Sequence, residues 1–337
     1  MNKIFLERKM FNEQPYVIYK SEEFEVTLFR YSSDIEAIEL KNSRGKVTIL
    51  PYMGQIIWGL EFDGYDLRMK NMFKVPHDAK EIVDTYGCFA FHSGLLANGC
   101  PSPEDDHPLH GEMACSKMDK SWLEVDNDFV KIAGYTEYAK GFGNHYLAEP
   151  SVTLRKQESN IIIDMSVTNL SECENMPLQY MCHMNYAYAE NAKLTQSLPN
   201  EAFMIRESIP AHVHPTEQWL AYNKELQQHP GSLNVLNQSG MYDPEIVFFA
   251  DNLQQYGDDL TFEMASPEGF TFFTEFSSKD FNFATRWLLY NEDQQVAAFV
   301  LPGTCRPEGF NAAKENGSLI YLKPQQQKTF KVITGKK

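Results

Sequence analysis

Short apolar and aromatic runs, many alternating with polar residues and each closed by turn formers, fill most of this chain. Such runs predict strands, because side chains along a strand point to opposite faces with a period of two. In the N-terminal part they are Tyr16 to Tyr19, Phe24 to Phe29, Ile35 to Leu40, Val47 to Leu50 and Gln55 to Phe62. Asp63-Gly64 follows directly and predicts a tight hairpin, since a type I′ turn needs positive φ at both central residues. Further runs are Trp122 to Val125, Val130 to Tyr135, Ser151 to Leu154, Ile161 to Thr168, Leu178 to Tyr188 and Glu245 to Phe249. Leu260 to Met264, Phe270 to Phe276, Ala284 to Tyr290, Val296 to Leu301, Ser318 to Leu322 and Thr329 to Thr334 complete the set. Only Asp78 to Tyr86, Thr216 to Gln228 and Phe310 to Asn316 read as helical. Many short strands with few helices predict an all-β protein, a large antiparallel β-sandwich. No composition shift marks a linker, so residues 1–337 are expected to form a single domain, with residues 1–15 as a peripheral N-terminal segment.

Composition narrows the functional classes. The formal net charge of −16 repels phosphate backbones and anionic lipid, and the Lys/Arg residues form no basic stripe. Neither nucleic acid nor membrane is expected as a partner. Nothing approaches ~18 consecutive apolar residues, and the first residues lack a signal-like apolar run, so a cytoplasmic location is expected. The six cysteines, Cys88, Cys100, Cys115, Cys173, Cys182 and Cys305, include no C-x-x-C pair and read as reduced thiols.

Two loops are dense in Gly, Pro and titratable residues, Gly94 to Glu112 and Pro302 to Gly317, and long loops on a rigid sheet tend to carry function. The first contains His107, His110 and Glu112, which could present an imidazole to a pocket, pack as a solvated acidic loop, or ligate a metal. No second His-rich segment supports the metal reading, and no metal site is expected. In the run Tyr180-Met-Cys-His183-Met-Asn185-Tyr186, alternation places Met181, His183 and Asn185 on one face. That face could floor a sugar site, or His183 could be a satisfied core histidine. In Pro302-Gly-Thr-Cys-Arg-Pro-Glu308-Gly309, Glu308 sits between Pro and Gly, where a carboxylate has little backbone freedom and could act as a base or pair with Arg306. The chain has no G-x-x-x-x-G-K, no G-x-G-x-x-G after a strand and no G-x-S-x-G, which excludes P-loop, dinucleotide and α/β-hydrolase chemistry and leaves acid/base work by His and Glu.

Taken in order, these segments resemble the galactose mutarotase, or aldose 1-epimerase, superfamily. Val47-Thr-Ile-Leu-Pro-Tyr-Met-Gly54 through Asp63-Gly64 resembles its opening hairpin, and Leu109-His110-Gly111 its first histidine motif. Val167-Thr168-Asn169, then Pro177, then His183-Met-Asn-Tyr resemble the stretch with its second histidine, and Glu308 after Pro302-Gly303 resembles its C-terminal glutamate. The resemblance spans roughly Glu36 to Thr334. It implies a supersandwich fold and an isomerase that interconverts sugar anomers, with His183 as general acid to the ring oxygen, Glu308 as general base and His110 orienting the sugar. The chemistry implied needs no cofactor, because one proton leaves as another arrives.

One departure is plain. Where the family carries arginines in a Gly-Arg-x-x-Asn-Arg loop, this chain reads Gly94-Leu-Leu-Ala-Asn98-Gly99. Sugar contacts are therefore sought among His92, Asn98, His145, Asn185, Arg206, Asp243 and Arg286. A carbohydrate-binding or sensing protein on the same scaffold is the second reading. The expected partner is a small-molecule sugar, and the expected assembly a monomer or a homodimer joined at an edge strand.

Overall fold

The computed structural model describes residues 2–210 and 213–337. Its strands form two large sheets with antiparallel pairing throughout. The smaller has nine strands. Asn2–Leu6 lies at one edge, followed by Lys120–Val125, Phe129–Ala139, His145–Arg155, Asn160–Asn169, Gln327–Lys336, Thr271–Ser277, Asp259–Ala265 and, at the other edge, Lys193–Gln196. The larger runs from Met204–Ile205 through Ile246–Asp251, Phe283–Tyr290, Gln295–Gly303, Met176–Met184 and Ala90–Leu95. It continues through Ile56–Phe62, Gly45–Leu50, Glu36–Lys41 and Glu25–Arg30 to Tyr16–Lys20.

Alternation builds the sandwich. In Asn160–Asn169 the residues Ile161, Ile163, Met165 and Val167 are buried, while Asp164, Ser166 and Thr168 are less so. The inward set joins Tyr180, Cys182 and Phe299 of the larger sheet in one core. Tyr186 closes that core with a polar clasp, its hydroxyl sharing hydrogen bonds with Thr274 and Thr334 of the smaller sheet. The larger sheet is covered on its other face too. There Ile35, Leu50, Ile56, Trp58 and Phe91 pack under Ile82, Cys88 and Cys115 of the long loops. Burial on both faces explains why Gln295–Gly303 is a nearly continuous apolar run rather than an alternating one.

Asp63 and Gly64 adopt φ of 51° and 81° between Ile56–Phe62 and Tyr65–Asp66, the hairpin that the sequence predicts. Thr216 caps the helix Glu217–Gln228 by accepting from Trp219 N at 3.1 Å, and Phe310–Glu315 is helical as well. Asp78 to Tyr86 is not a helix. Only Ile82–Thr85 makes a 3-10 turn, because Thr85 spends its hydroxyl on His77 N and buries beside Ile82. The strand expected over Leu178 to Tyr188 stops at Met184, where Asn185 leaves the ladder to bond Phe89 O and Met69 N. Ala90–Leu95, among which only Gly94 and Leu95 fall in the expected Gly94 to Glu112 loop, is a fully buried strand. Asn2–Leu6 forms an edge strand of the smaller sheet, paired with Lys120–Val125. No helix among the described residues is long and apolar enough to cross a membrane.

Candidate functional site

Residues on the face of the larger sheet turned away from the smaller one together floor a cavity of about 390 Å³. Met181 and His183 come from Met176–Met184, Leu301 from Gln295–Gly303, Thr285, Trp287 and Leu289 from Phe283–Tyr290, and Val247 from Ile246–Asp251. Loop residues Phe73, Tyr86, Cys100, His110, Arg206, Asp243 and Glu245 supply the walls. Both the volume and the mixture of aromatic walls with a few converging polar groups suit a small-molecule site.

At the floor, His183 stacks on its cross-strand partner Phe91 with centroids 4.5 Å apart and an interplanar angle of 15°. Tyr86 OH lies 3.1 Å from His183 Nε2, and the Trp287 ring meets the imidazole edge-on at 5.8 Å. Burial drives the His183 pKa well below 6.5, His110 adds to the depression, and the Asn185 side chain opposes it. At neutral pH the ring therefore carries a single proton, and burial keeps the Tyr86 phenol protonated as well. The neutral imidazole can give up its own proton while taking the one from Tyr86 across this hydrogen bond, which leaves a phenolate until a proton returns.

His110 stands edge-to-face to His183 with centroids 4.8 Å apart. Its backbone occupies the left-handed region at φ 62°, fixed by His110 N donating to Gly99 O and by Gly94 N donating to His110 O. The next residue must be Gly111, since a Cβ there would stand 2.2 Å from Ala97 O. Ser93 Oγ, on the strand Ala90–Leu95, touches both His110 Nδ1 at 3.1 Å and Asn98 Oδ1. With the serine proton given to Asn98, His110 Nδ1–H donates to Ser93. Asn98 thus acts on the site through Ser93 rather than by lining it.

Glu245 is the buried carboxylate of the cavity. Trp287 Nε1 donates to Oε2 at 2.7 Å and Arg206 Nη2 to Oε1 at 2.6 Å, so two wall residues orient it. Asp243 lies nearer solvent and accepts from Asn291 at 3.2 Å.

The sequence-predicted residues divide sharply. His110, His183, Arg206 and Asp243 line the cavity. Glu308 does not: Pro307 faces the cavity, and the extended backbone, bridged to Gly99, turns the next side chain away. Glu308 instead accepts from Ser208 Oγ at 3.0 Å and lies 3.9 Å from Arg306, which is itself clamped to Asp251 at 2.6 Å. His92 and Arg286 occupy even-numbered positions and point into the sandwich. His92 bonds Tyr180 OH at 2.8 Å, and burial pushes its pKa down to about 4. Arg286 donates to Phe299 O and Gln196, lies 4.0 Å over the Phe203 ring, and is lowered to about 9 by burial. Asn185 donates to Cys88 O as a core bond, and His145 pairs with Glu137 at 2.8 Å on the smaller sheet. His107, His110 and Glu112 do not converge on a metal, because Glu112 accepts from Leu95 N, Leu96 N and Tyr146 OH while His107 turns to Pro108 O. Sequence reasoning missed Tyr86, Glu245 and Trp287. The period that selected His183 also aligns Thr285, Trp287 and Leu289, and that signal was available.

No family model and no curated protein matches the sequence. Solved structures do match in shape. A candidate aldose 1-epimerase from Klebsiella pneumoniae superposes with a TM-score of 0.79 at 11% identity, over 99% of this chain and 91% of that one. A galactose 1-epimerase from Lactobacillus acidophilus gives 0.58 at 11% identity, over 96% and 98%. A galactose mutarotase-like protein from Clostridium acetobutylicum gives 0.60 at 14% identity, over 94% and 99%. At such identities the likeness is one of architecture, and this chain has the galactose mutarotase-like β-sandwich fold.

Proposed function

We propose that the chain is an isomerase of the aldose 1-epimerase type, which binds a monosaccharide in this cavity and interconverts its anomers. One observation carries the reading: two edge-to-face imidazoles, a phenol and an oriented buried carboxylate share one aromatic-walled cavity. Ring opening removes a proton from the anomeric hydroxyl and delivers one to the ring oxygen as the C1–O bond breaks. Glu245 takes the first proton. His183, replenished through Tyr86, gives the second, and His110 holds the same oxygen. The aldehyde rotates about C1–C2 and closes on the other face, and both protons return. Nothing is oxidised or reduced. Trp287 offers a flat face for the less polar side of the ring, as aromatic walls commonly do in such pockets.

The test is exchange NMR of the anomeric signals across a panel of aldoses, for wild type and Glu245→Gln. Acceleration in wild type, reduced about 10²-fold or more in the variant, is the expected result, since positioned acid/base groups contribute roughly 10²–10⁴-fold. Full activity in Glu245→Gln would remove this carboxylate from the reaction. A second reading, a non-catalytic sugar sensor, is favoured by the engagement of both Glu245 oxygens with Trp287 and Arg206. It requires saturable sugar binding with no acceleration at all.

A further inference from the structure

Resting on the sugar-site reading above, we infer that the preferred substrate is a neutral sugar with an apolar edge, such as a 6-deoxy or acylated hexose, and not a sugar acid or sugar phosphate.

The first argument is charge. Among the described residues lining the cavity, Arg206 is the only Lys or Arg. Its charge is already paired, with Nε donating to Ser208 O at 3.0 Å and Nη2 to Glu245 at 2.6 Å, and its side chain is only 10% exposed. Two carboxylates, Asp243 and Glu245, line the same space. A carboxylate or phosphate on the substrate would enter beside them with no unpaired cation to offset its charge, and anion recognition sites commonly supply one. The protein's net charge of −16 opposes the approach of an anion as well.

The second argument is the division of the wall. His183, His110 and Glu245 gather at the sheet, whereas the more exposed lining carries an apolar group, Met72, Phe73, Val83 and Leu109, beside the polar Asp243, Asn291 and Gln294. Met72 is 60% exposed and Val83 45%, so two of the larger exposed apolar side chains of the molecule stand at this one opening. Exposed apolar surface clustered at a site marks what the site covers. The polar group can pair with hydroxyls on one part of the sugar, but any hydroxyl turned toward the methyl and thioether groups finds no hydrogen bond and is left poorly paired on desolvation. A methyl or acyl group in that place removes the mismatch and buries the apolar rim.

Exchange NMR and ligand titration with matched sets settle the point. Each set holds a 6-deoxyhexose, its parent hexose, the uronate and the 6-phosphate, in the galacto, gluco and manno series. The expected result is a kcat/KM for the best deoxy sugar about tenfold above its parent, within the range by which apolar pockets discriminate against an added hydroxyl, and no measurable turnover of the anions. Met72→Gln combined with Val83→Thr, both exposed positions of the cavity lining, should cut the preference below about threefold, chiefly by raising KM for the deoxy sugar. Equal turnover of parent and deoxy sugar, or turnover of the uronate or phosphate, overturns the inference even if mutarotation is confirmed. Should no anomers exchange faster but the deoxy sugar still bind about tenfold more tightly, the substrate class stands and the isomerase reading falls. Absence of binding by every neutral sugar overturns both.

Discussion

His183 and His92 are neighbours in the same sheet, and burial depresses the pKa of each, yet they do opposite things. His183 pairs across the strands with Phe91, while His92 pairs with Cys182, one residue along. That single step in register decides which face each imidazole joins. His183 looks into the cavity with Tyr86 and His110 around it, and His92 looks into the sandwich and bonds the buried Tyr180 hydroxyl. Trp287 and Arg286 repeat the contrast on the strand Phe283–Tyr290. A perturbed pKa therefore identifies a desolvated group, and only the space in front of the group distinguishes a site from a core.

Substituting the two histidines separately should pull the comparison apart most strongly. His183→Asn is expected to lower anomer exchange by roughly 10²–10⁴-fold with a modest change in the urea midpoint. His92→Phe keeps an aromatic ring but removes the imidazole partner of the Tyr180 hydroxyl, so it should cost about 1–3 kcal/mol of stability with kcat/KM little changed. Paired urea melts and exchange kinetics check both. A loss of activity in His92→Phe without a loss of stability would show that the faces are not independent.

How much of this was legible beforehand follows from the same alternation. The sandwich was readable because runs such as Asn160–Asn169 expose one side and bury the other, and the Asp63-Gly64 hairpin was readable from its turn chemistry. Ala90–Leu95 was hidden because it is buried on both faces and contains His92 and Ser93, which break an apolar pattern for reasons that only its neighbours reveal. His110, His183, Arg206 and Asp243 reach the cavity. Arg286 was one of the candidates for sugar contact, although its even position assigns it to the core, where a backbone carbonyl and an aromatic face satisfy it. Glu245 was passed over because a glutamate opening a strand looks unremarkable in sequence, and its partners Trp287 and Arg206 are 42 and 39 residues away.

Acid pH supplies the next largest effect, and it tests the core member of the pair. A folded pKa of about 4 for His92 lies below the ordinary 6.5, so between those values the unfolded chain binds more protons than the native one. Stability then rises with pH across that window, and is lost as pH falls from about 6.5 toward 4. His92 alone accounts for a loss of about 3 kcal/mol, and His183 adds to it in the same direction. Asp63, held low by Arg44 and Lys336, contributes stability that disappears only in stronger acid and does not confuse the reading. Urea melts at pH 7.5, 6.0 and 4.5 should show the fall in wild type and a shallower one in His92→Phe. Parallel pH profiles for the two proteins would mean that His92 is not the group responsible.

The smallest expected effect discriminates between the two glutamates. Glu308 lies outside the cavity lining, between Ser208 and Arg306, and shares with Glu245 only its nearness to Cys100, whose thiol burial and both carboxylates raise to about 11. A partly exposed ion pair 3.9 Å long contributes little, and the hydrogen bond from Ser208 survives in an amide, which still offers a carbonyl oxygen. Glu308→Gln should therefore change anomer exchange by less than about threefold, in the range of ordinary surface substitutions, and any change should fall on KM through the neighbouring wall residue Pro307. If Glu308→Gln instead abolishes kcat while Glu245→Gln retains it, the bound sugar must draw the Pro307–Gly309 turn inward, and the base would come from the loop and not from the start of the Ile246–Asp251 strand.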